Sequence, residues 1–199
     1  MAERPTWRIA ARTPPGPPPD DWRERLIARL GQRPRRLGLH TELALFGALE
    51  VLAAAGETTL PQETLLRVCS LRGPVSAIGQ VLEQAQSDLP LPFAFLQSQP
   101  SQMLAAIAAA LRWQGDASFV LMRDPLALIT LAARQAGRRG MLLGWVEESP
   151  SQSQWLRLVP CAAPEQPFVT ATRATQLDAP AARWLQLEPA GIALAEGRM

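Results

Sequence analysis

The sequence predicts an α/β protein, with helices packed on a mixed sheet. Three observations predict it. Short apolar runs alternate along the chain with segments of helical periodicity, the order expected of α/β domains. Of 199 residues, 47% are hydrophobic and 19% charged, enough apolar material for a buried core. No run reaches the roughly 18 uncharged apolar residues of a membrane span, and the N-terminus lacks the apolar stretch of a signal peptide. A cytoplasmic protein is expected, with Cys69 and Cys161 as free thiols.

Trp7 to Ala11 reads as a first strand. Pro14 to Pro19, interrupted by Gly16, is an exposed linker, because proline fixes φ and removes a donor. Asp20 or Asp21 opens a short helix that runs to Leu30 and stops at Gly31 and Pro34. Thr41 to Ala55 is a helix with Thr41 as N-cap and Gly56 as stop. Its apolar residues go nearly all round, which predicts burial on more than one side. Leu65 to Leu71 is a buried strand. Val75 to Gln86 is a helix with Val75, Ile78, Val81, Leu82 and Ala85 on one stripe. Asp88 to Gln102, with Pro90, Pro92 and Pro100, reads as an irregular segment too apolar to be free loop. A helix follows, from Ser101 or Gln102 to Trp113, ended by Gly115. Ser118 to Met122 is a strand, and Arg123-Asp124-Pro125 a turn with Asp124 as N-cap and Pro125 in the first helical position. That helix reaches Gln135 or Ala136 and breaks at Gly137. Met141 to Val146 is a buried strand, and Glu148 to Gln154 a polar stretch. Trp155 to Val159 and Phe168 to Thr172 read as edge strands, and Ala181 to Leu187 as a short helix or strand. The tail fades after Pro189. The organisation is an Arg/Pro-rich segment (1–36), a core (37–148) and C-terminal edge strands and tail (149–199) in the same domain.

Missing residue types narrow the chemistry. The chain has no Lys, no Tyr and no Asn, so all 20 basic side chains are Arg. That removes Schiff-base chemistry, the Walker phosphate loop, a Ser-Lys dyad and N-glycosylation. His40 and the two cysteines are too few for an all-Cys/His zinc site, and no metal or cofactor is expected. Net charge is only +2, and aromatics do not interleave with the arginines, so no nucleic-acid partner is expected. Nine arginines do lie between Arg4 and Arg36; they form either a solvated face or a patch for an anionic partner such as an acyl carrier protein.

From Leu89 to Glu148 the segments resemble, in order, the N-terminal half of a β-ketoacyl synthase of the thiolase superfamily. Leu89 to Pro100 is similar to the loop entering a packed helix, and Leu111 to Asp116 to the approach to the nucleophile strand. Phe119-Val-Leu-Met122 is similar to that strand, and Asp124 to Ala136 to the helix behind it. Leu142 to Glu148 resembles a strand ending in a Gly-Gly-x-Glu-like turn, and Leu65 to Gly73 an earlier strand with a Ser-x-x-Gly exit. The likeness spans residues 37–148 and is nearest to the truncated chain-length-factor-like subunits of aryl-polyene biosynthesis. It implies half of a thiolase-like fold that pairs with a catalytic β-ketoacyl synthase through Phe119 to Met122, with an acyl carrier protein as a further partner. The family's cysteine nucleophile sits where a helix N-terminus lowers its pKa. Here that position holds Met122, or Arg123 if the register slips by one, and a thioether forms no acyl thioester. Chain-length factors often carry Gln there, so Met122 departs from them too. The usual His-His or His-Asn pair cannot be assembled from one His and no Asn.

The resemblance therefore implies a non-catalytic subunit, with Phe93, Phe95, Ser98, Gln99, Phe119, Met122, Arg123 and Asp124 at an acyl tunnel or partner interface. The alternatives are a self-contained acyltransferase using Cys69 or Cys161, or a homodimeric acyl-binding module. Cys69 reads as a small core residue. His40 reads as a polar helix-start residue, Cys161 as a loop thiol, and Gly137-Arg-Arg-Gly140 as a surface turn or a phosphate nest.

Overall fold

The computed structural model describes residues 4–87, 92–172, 182–189 and 191–196. Fourteen elements follow one another. β1 (Thr6–Arg12), α1 (Trp22–Leu30), α2 (Leu39–Ala54), β2 (Leu65–Ser70) and α3 (Val75–Gln86) come first. α4 (Pro92–Gln97), α5 (Pro100–Ala110), β3 (Ala117–Leu121), α6 (Pro125–Ala136) and β4 (Met141–Glu148) follow. β5 (Ser151–Pro160), β6 (Val169–Thr170), β7 (Ala182–Glu188) and β8 (Gly191–Glu196) complete the order.

All strands join one sheet in the order β3-β2-β4-β5-β1-β7-β8-β6. β2 is parallel to both β3 and β4, whereas β5 runs antiparallel to β4 and to β1. This is the mixed α/β sheet that the sequence predicts. All six residues of β2 are buried, as a central parallel strand covered on both faces requires.

Two cores divide along the faces of the sheet. One face holds α2 and α5, with Leu43, Phe46, Val51, Leu66, Val68, Ile107, Leu142 and Val146 packed together. α2 is buried nearly all round because α1 covers its outer side, with Trp22 tilted against Phe46 at 5.8 Å between ring centroids. The other face packs Leu128, Ile129, Ala132 and Ala133 of α6 against Leu65, Met141 and Leu143. β7 and β8 extend that face with Leu185, Ile192 and Leu194, so the C-terminal hairpin helps to cover α6. Apolar surface is left open at Leu71, at Ile78 and Leu82 on α3, at Phe93, Phe95 and Leu96 on α4, at Leu121 and at Val169 on β6.

Trp155 fixes α2 against the sheet. A Cβ at Gly47 would come within 2.2 Å of the Trp155 ring and of Ser153 Oγ, and one at Gly144 within 2.7 Å of the same indole. Only glycine fits at either position. Ser153 Oγ, which accepts from Trp155 Nε1 at 3.1 Å, donates to the Leu43 carbonyl at 2.5 Å.

Several expectations change, each for a physical reason. Thr41 is not the N-cap: α2 begins two residues earlier after Gly38, and both His40 and Thr41 are buried within it. The segment expected to be irregular is largely helical, because Pro92 and Pro100 each open a helix at positions where a missing N–H costs nothing; Asp88 to Leu91 lie outside the described residues. α5 stops at Ala110 and not at Trp113. Arg112 takes the left-handed conformation (φ 50°), Trp113 N donates to Ala108 O at 2.9 Å, and the Trp113 side chain turns into the core. The polar stretch after Val146 is a tight β4–β5 hairpin. β5 is an interior strand rather than an edge, since β1 returns to pair with it. The Ala181–Leu187 segment is strand β7, with Ala181 itself outside the described residues. Only Val169 and Thr170 of the Phe168–Thr172 segment form a strand.

Candidate functional site

The site lies where the parallel strands end. β3 runs out at Leu121, and Met122 N continues the ladder by donating to the Ser70 carbonyl at 2.9 Å. Asp124 caps α6 by accepting from Leu126 N at 2.9 Å, with Pro125 in the first turn. Met122 thus stands at the strand-to-helix junction, half-buried against the α6-side core, while Arg123 and Asp124 are exposed. An apolar cavity of about 80 Å³ opens beneath Pro125, lined by Leu128, Ile129, Leu143, Trp145 and Leu156.

Two adjacent carboxylates close the end of β4. Strand alternation sends Glu147 to the α6 face and Glu148 to the α2 face. Glu147 accepts from Ser70 Oγ at 3.0 Å and from Leu71 N, while Ser70 Oγ accepts from Gly73 N at 2.7 Å. Gly73 takes φ +68°, which turns the chain into α3. Glu148 accepts from His40 N at 3.0 Å, from Ser76 N at 2.8 Å and from Ser76 Oγ at 2.6 Å. One carboxylate therefore caps both α2 and α3, on the positive ends of their dipoles.

His40 sits beside this pair and is 2% exposed. Its ring meets Phe119 of β3 edge-on, with centroids 5.9 Å apart. It is hydrogen-bonded to the Val146 backbone, and its Nε2 has no partner. Burial lowers the imidazole pKa, and the opposing pull of Glu148, the Val146 bond and Glu147 only partly offsets this. His40 is the second residue of α2, at the helix start as expected, but its ring is buried and neutral.

The thiols are poorly placed for acyl transfer. Cys69 is fully buried, and burial, with Glu147 nearby, pushes its pKa well above the ordinary thiol value. Cys161 is half-buried just past β5, and burial raises its pKa against the opposing effect of Arg8. The remaining predicted residues are dispersed. Phe93 and Phe95 lie on α4, 50% and 56% exposed. Ser98 Oγ donates to Phe95 O at 2.7 Å, and Gln99 is the N-cap residue of α5. Phe119 packs at the margin of the α2-side core, across the sheet from Met122. The sequence reading missed Ser70, Ser76, Glu147 and Glu148 as a group. Their only local signal is an apolar run ending in two acidic residues, and their partners lie 72 to 108 residues away in Glu148's case.

No family model and no curated protein matches the chain. Solved structures do. A chain of the ketosynthase ApeO in complex with its chain length factor ApeC from Xenorhabdus doucetiae aligns with TM-score 0.54 at 14% identity, covering 96% of this chain and 97% of that one. The ishigamide ketosynthase/chain length factor aligns at 0.56 and 14%, covering 80% of this chain and 59% of that one. AntDE:AntF, a type II polyketide carrier protein in complex with its ketosynthase, aligns at 0.56 and 9%, covering 80% and 64%. The chain thus spans less than two thirds of those two neighbours. With strands ordered β3-β2-β4-β5-β1 around a β3–α6 junction, and neighbours of this kind, the chain has the ketosynthase-like α/β fold of the thiolase type.

Proposed function

We propose that the chain is a non-catalytic, cytoplasmic ketosynthase-like subunit that pairs with a catalytic β-ketoacyl synthase in aryl-polyene-type fatty-acid or polyketide biosynthesis. It stabilises that enzyme and shapes the end of its acyl tunnel, and an acyl carrier protein delivers the chain to be extended. The observation that carries this reading is Met122, a thioether at the strand-to-helix junction of a ketosynthase-like fold. Two further features support it. β3 has one neighbour among the described residues, β2, and carries no charged residue; its last residue, Leu121, is 65% exposed, while Leu71 after β2, Ile78 and Leu82 on α3, and Phe93 and Phe95 on α4 expose further apolar surface. An open, uncharged strand edge that ends in an exposed leucine is a surface for strand pairing. The apolar cavity beneath Pro125 offers the wall of an acyl path.

Co-expression with its ketosynthase tests the proposal. A stable complex is expected by size-exclusion chromatography and native mass spectrometry. Leu121→Arg with Leu82→Arg should abolish it, and Met122→Ala should leave both complex and condensation largely intact. Elongation of malonyl-carrier substrates by this chain alone would overturn the reading.

A further inference from the structure

The arginines of the N-terminal region are not alike. Arg23 pairs with Glu42, and Arg25 and Arg29 share Glu50; Arg4 pairs with Glu188, and Arg12 donates to the Ala182 carbonyl. Arg33, Arg35 and Arg36, in the loop between α1 and α2, have no carboxylate partner among the described residues. That loop is held firmly against α4. Arg36 takes φ +63°, a conformation that a side chain with a Cβ disfavours. Gln97 Nε2 holds the Arg36 carbonyl at 3.2 Å, and a Cβ on Gly38 would lie 3.3 Å from that of Gln97. The Arg36 guanidinium lies over the Phe93 ring, 4.9 Å from its centroid.

Between loop and helix runs a groove of about 280 Å³, lined by Arg35, Arg36, Thr41, Phe93, Leu96 and Gln102. Thr41 supplies an independent pointer to a ligand. The residue is 3% exposed and its hydroxyl makes no hydrogen bond among the described residues, yet the side chain lines the groove. The groove also opens at the start of α2, a 16-residue helix whose N-terminal dipole end favours an anion. Glu148 takes the amide of His40, and its charge offsets part of that dipole.

We propose that this groove is a binding site for a phosphate ester, with the phosphate held by Arg35, Arg36 and the Thr41 hydroxyl and its organic substituent resting on Phe93 and Leu96. Two guanidinium forks with a hydroxyl suit an oxyanion with several acceptor oxygens. An apolar shelf next to them suits a substituted phosphate better than the free ion. The residues that would hold the phosphate lie outside β3 and α6, and Phe93 alone is shared with the apolar surface considered for pairing, so binding of the phosphate group survives if that pairing fails.

Calorimetric titration of the isolated protein with phenyl phosphate, inorganic phosphate and phenol tests it. Phenyl phosphate should bind most tightly and phenol least. Arg35→Ala with Arg36→Ala should weaken phenyl phosphate by about tenfold or more, the scale of lost charge-assisted bonds. Thr41→Val should weaken both phosphates, and Phe93→Ala should remove only the advantage of the phenyl group. Arg23→Ala, on the neighbouring helix, serves as the charge control, and thermal melts confirm that each variant is folded. Absence of binding at millimolar phenyl phosphate, or an equal loss in Arg23→Ala and in the double variant, overturns the proposal.

Discussion

The two ends of the parallel strands are built on opposite principles. At the N-terminal end, two buried arginines are tied down by bidentate carboxylates, one on each face of the sheet. Arg67 holds Asp116 through both terminal nitrogens at 2.9 and 3.0 Å and donates from Nε to Gln135 at 2.9 Å. Arg157 holds Glu57 at 2.8 and 3.0 Å and also donates to the Leu158 carbonyl. At the C-terminal end the charges are carboxylates, their partners are mostly neutral N–H and O–H groups, and a buried imidazole nitrogen goes unpaired. One end is a set of saturated locks. The other positions three helix starts and a strand edge around a site, where full satisfaction is not reached. Buried polar groups in folded proteins are nearly all paired, and among the described residues the buried side-chain atom without a partner, His40 Nε2, lies at this second end.

Breaking a lock should cost most. Glu57→Ala leaves the Arg157 side chain, 3% exposed, with only backbone acceptors, and should lower unfolding free energy by about 3 kcal/mol in urea titrations. Gly47→Ala drives a methyl into Trp155 and should cost a comparable 2–3 kcal/mol, roughly the upper range for overpacking, with a shifted tryptophan emission.

At the other end, Glu148→Gln should cost about 2 kcal/mol, the scale of charge-assisted hydrogen bonds. Its signature is local: amide exchange should speed up at Ser76 and His40 more than in the Arg67 or Arg157 surroundings.

The ends should also separate by pH. The His40 pKa is lower folded than unfolded, so the unfolded chain binds more protons and stability rises with pH. Its contribution is complete above the unfolded value near 6.5 and is lost as pH falls below it. The Asp116 carboxyl is held below its ordinary 3.8, chiefly by its Arg67 hydrogen bonds, so that lock weakens only as pH falls below that value. Since His40 is the chain's one histidine, His40→Gln should flatten the stability profile between pH 5 and 7 and leave the acid limb unchanged. The smallest effect expected is chemical: Cys161 should react with a thiol reagent in the native state, and Cys69 only on unfolding.

This contrast also explains what the sequence could reveal. The Leu65 and Met141 runs, the Asp124-Pro125 start of α6 and the place of Met122 at its junction are local patterns, readable because each rests on neighbouring residues. The locks and the Glu147–Glu148 pair are not local. Nothing near Arg157 in the sequence signals Glu57, a hundred residues upstream. Gly38 replaced Thr41 at the start of α2 because the capping carboxylate comes from β4. α4 was hidden by its own prolines, which look like breakers until their place in the first turn is known. Met122 and Asp124 stand at the strand-to-helix junction, a place that the Asp-Pro pair makes readable. Phe93 and Phe95 sit apart on α4, since no periodicity told which way that segment faces.

The asymmetry of the sheet's edges bears on polymerisation. β7 and β8 continue the sheet beyond β1, so its open margins among the described residues are β3 and the two-residue β6. A stub of that length cannot template another strand, whereas the uncharged β3 can. Growth by edge addition therefore has one direction only. Once a second chain is seated on β3, the described residues offer no further edge of useful length, and the sheet ends as a closed pair instead of a fibre.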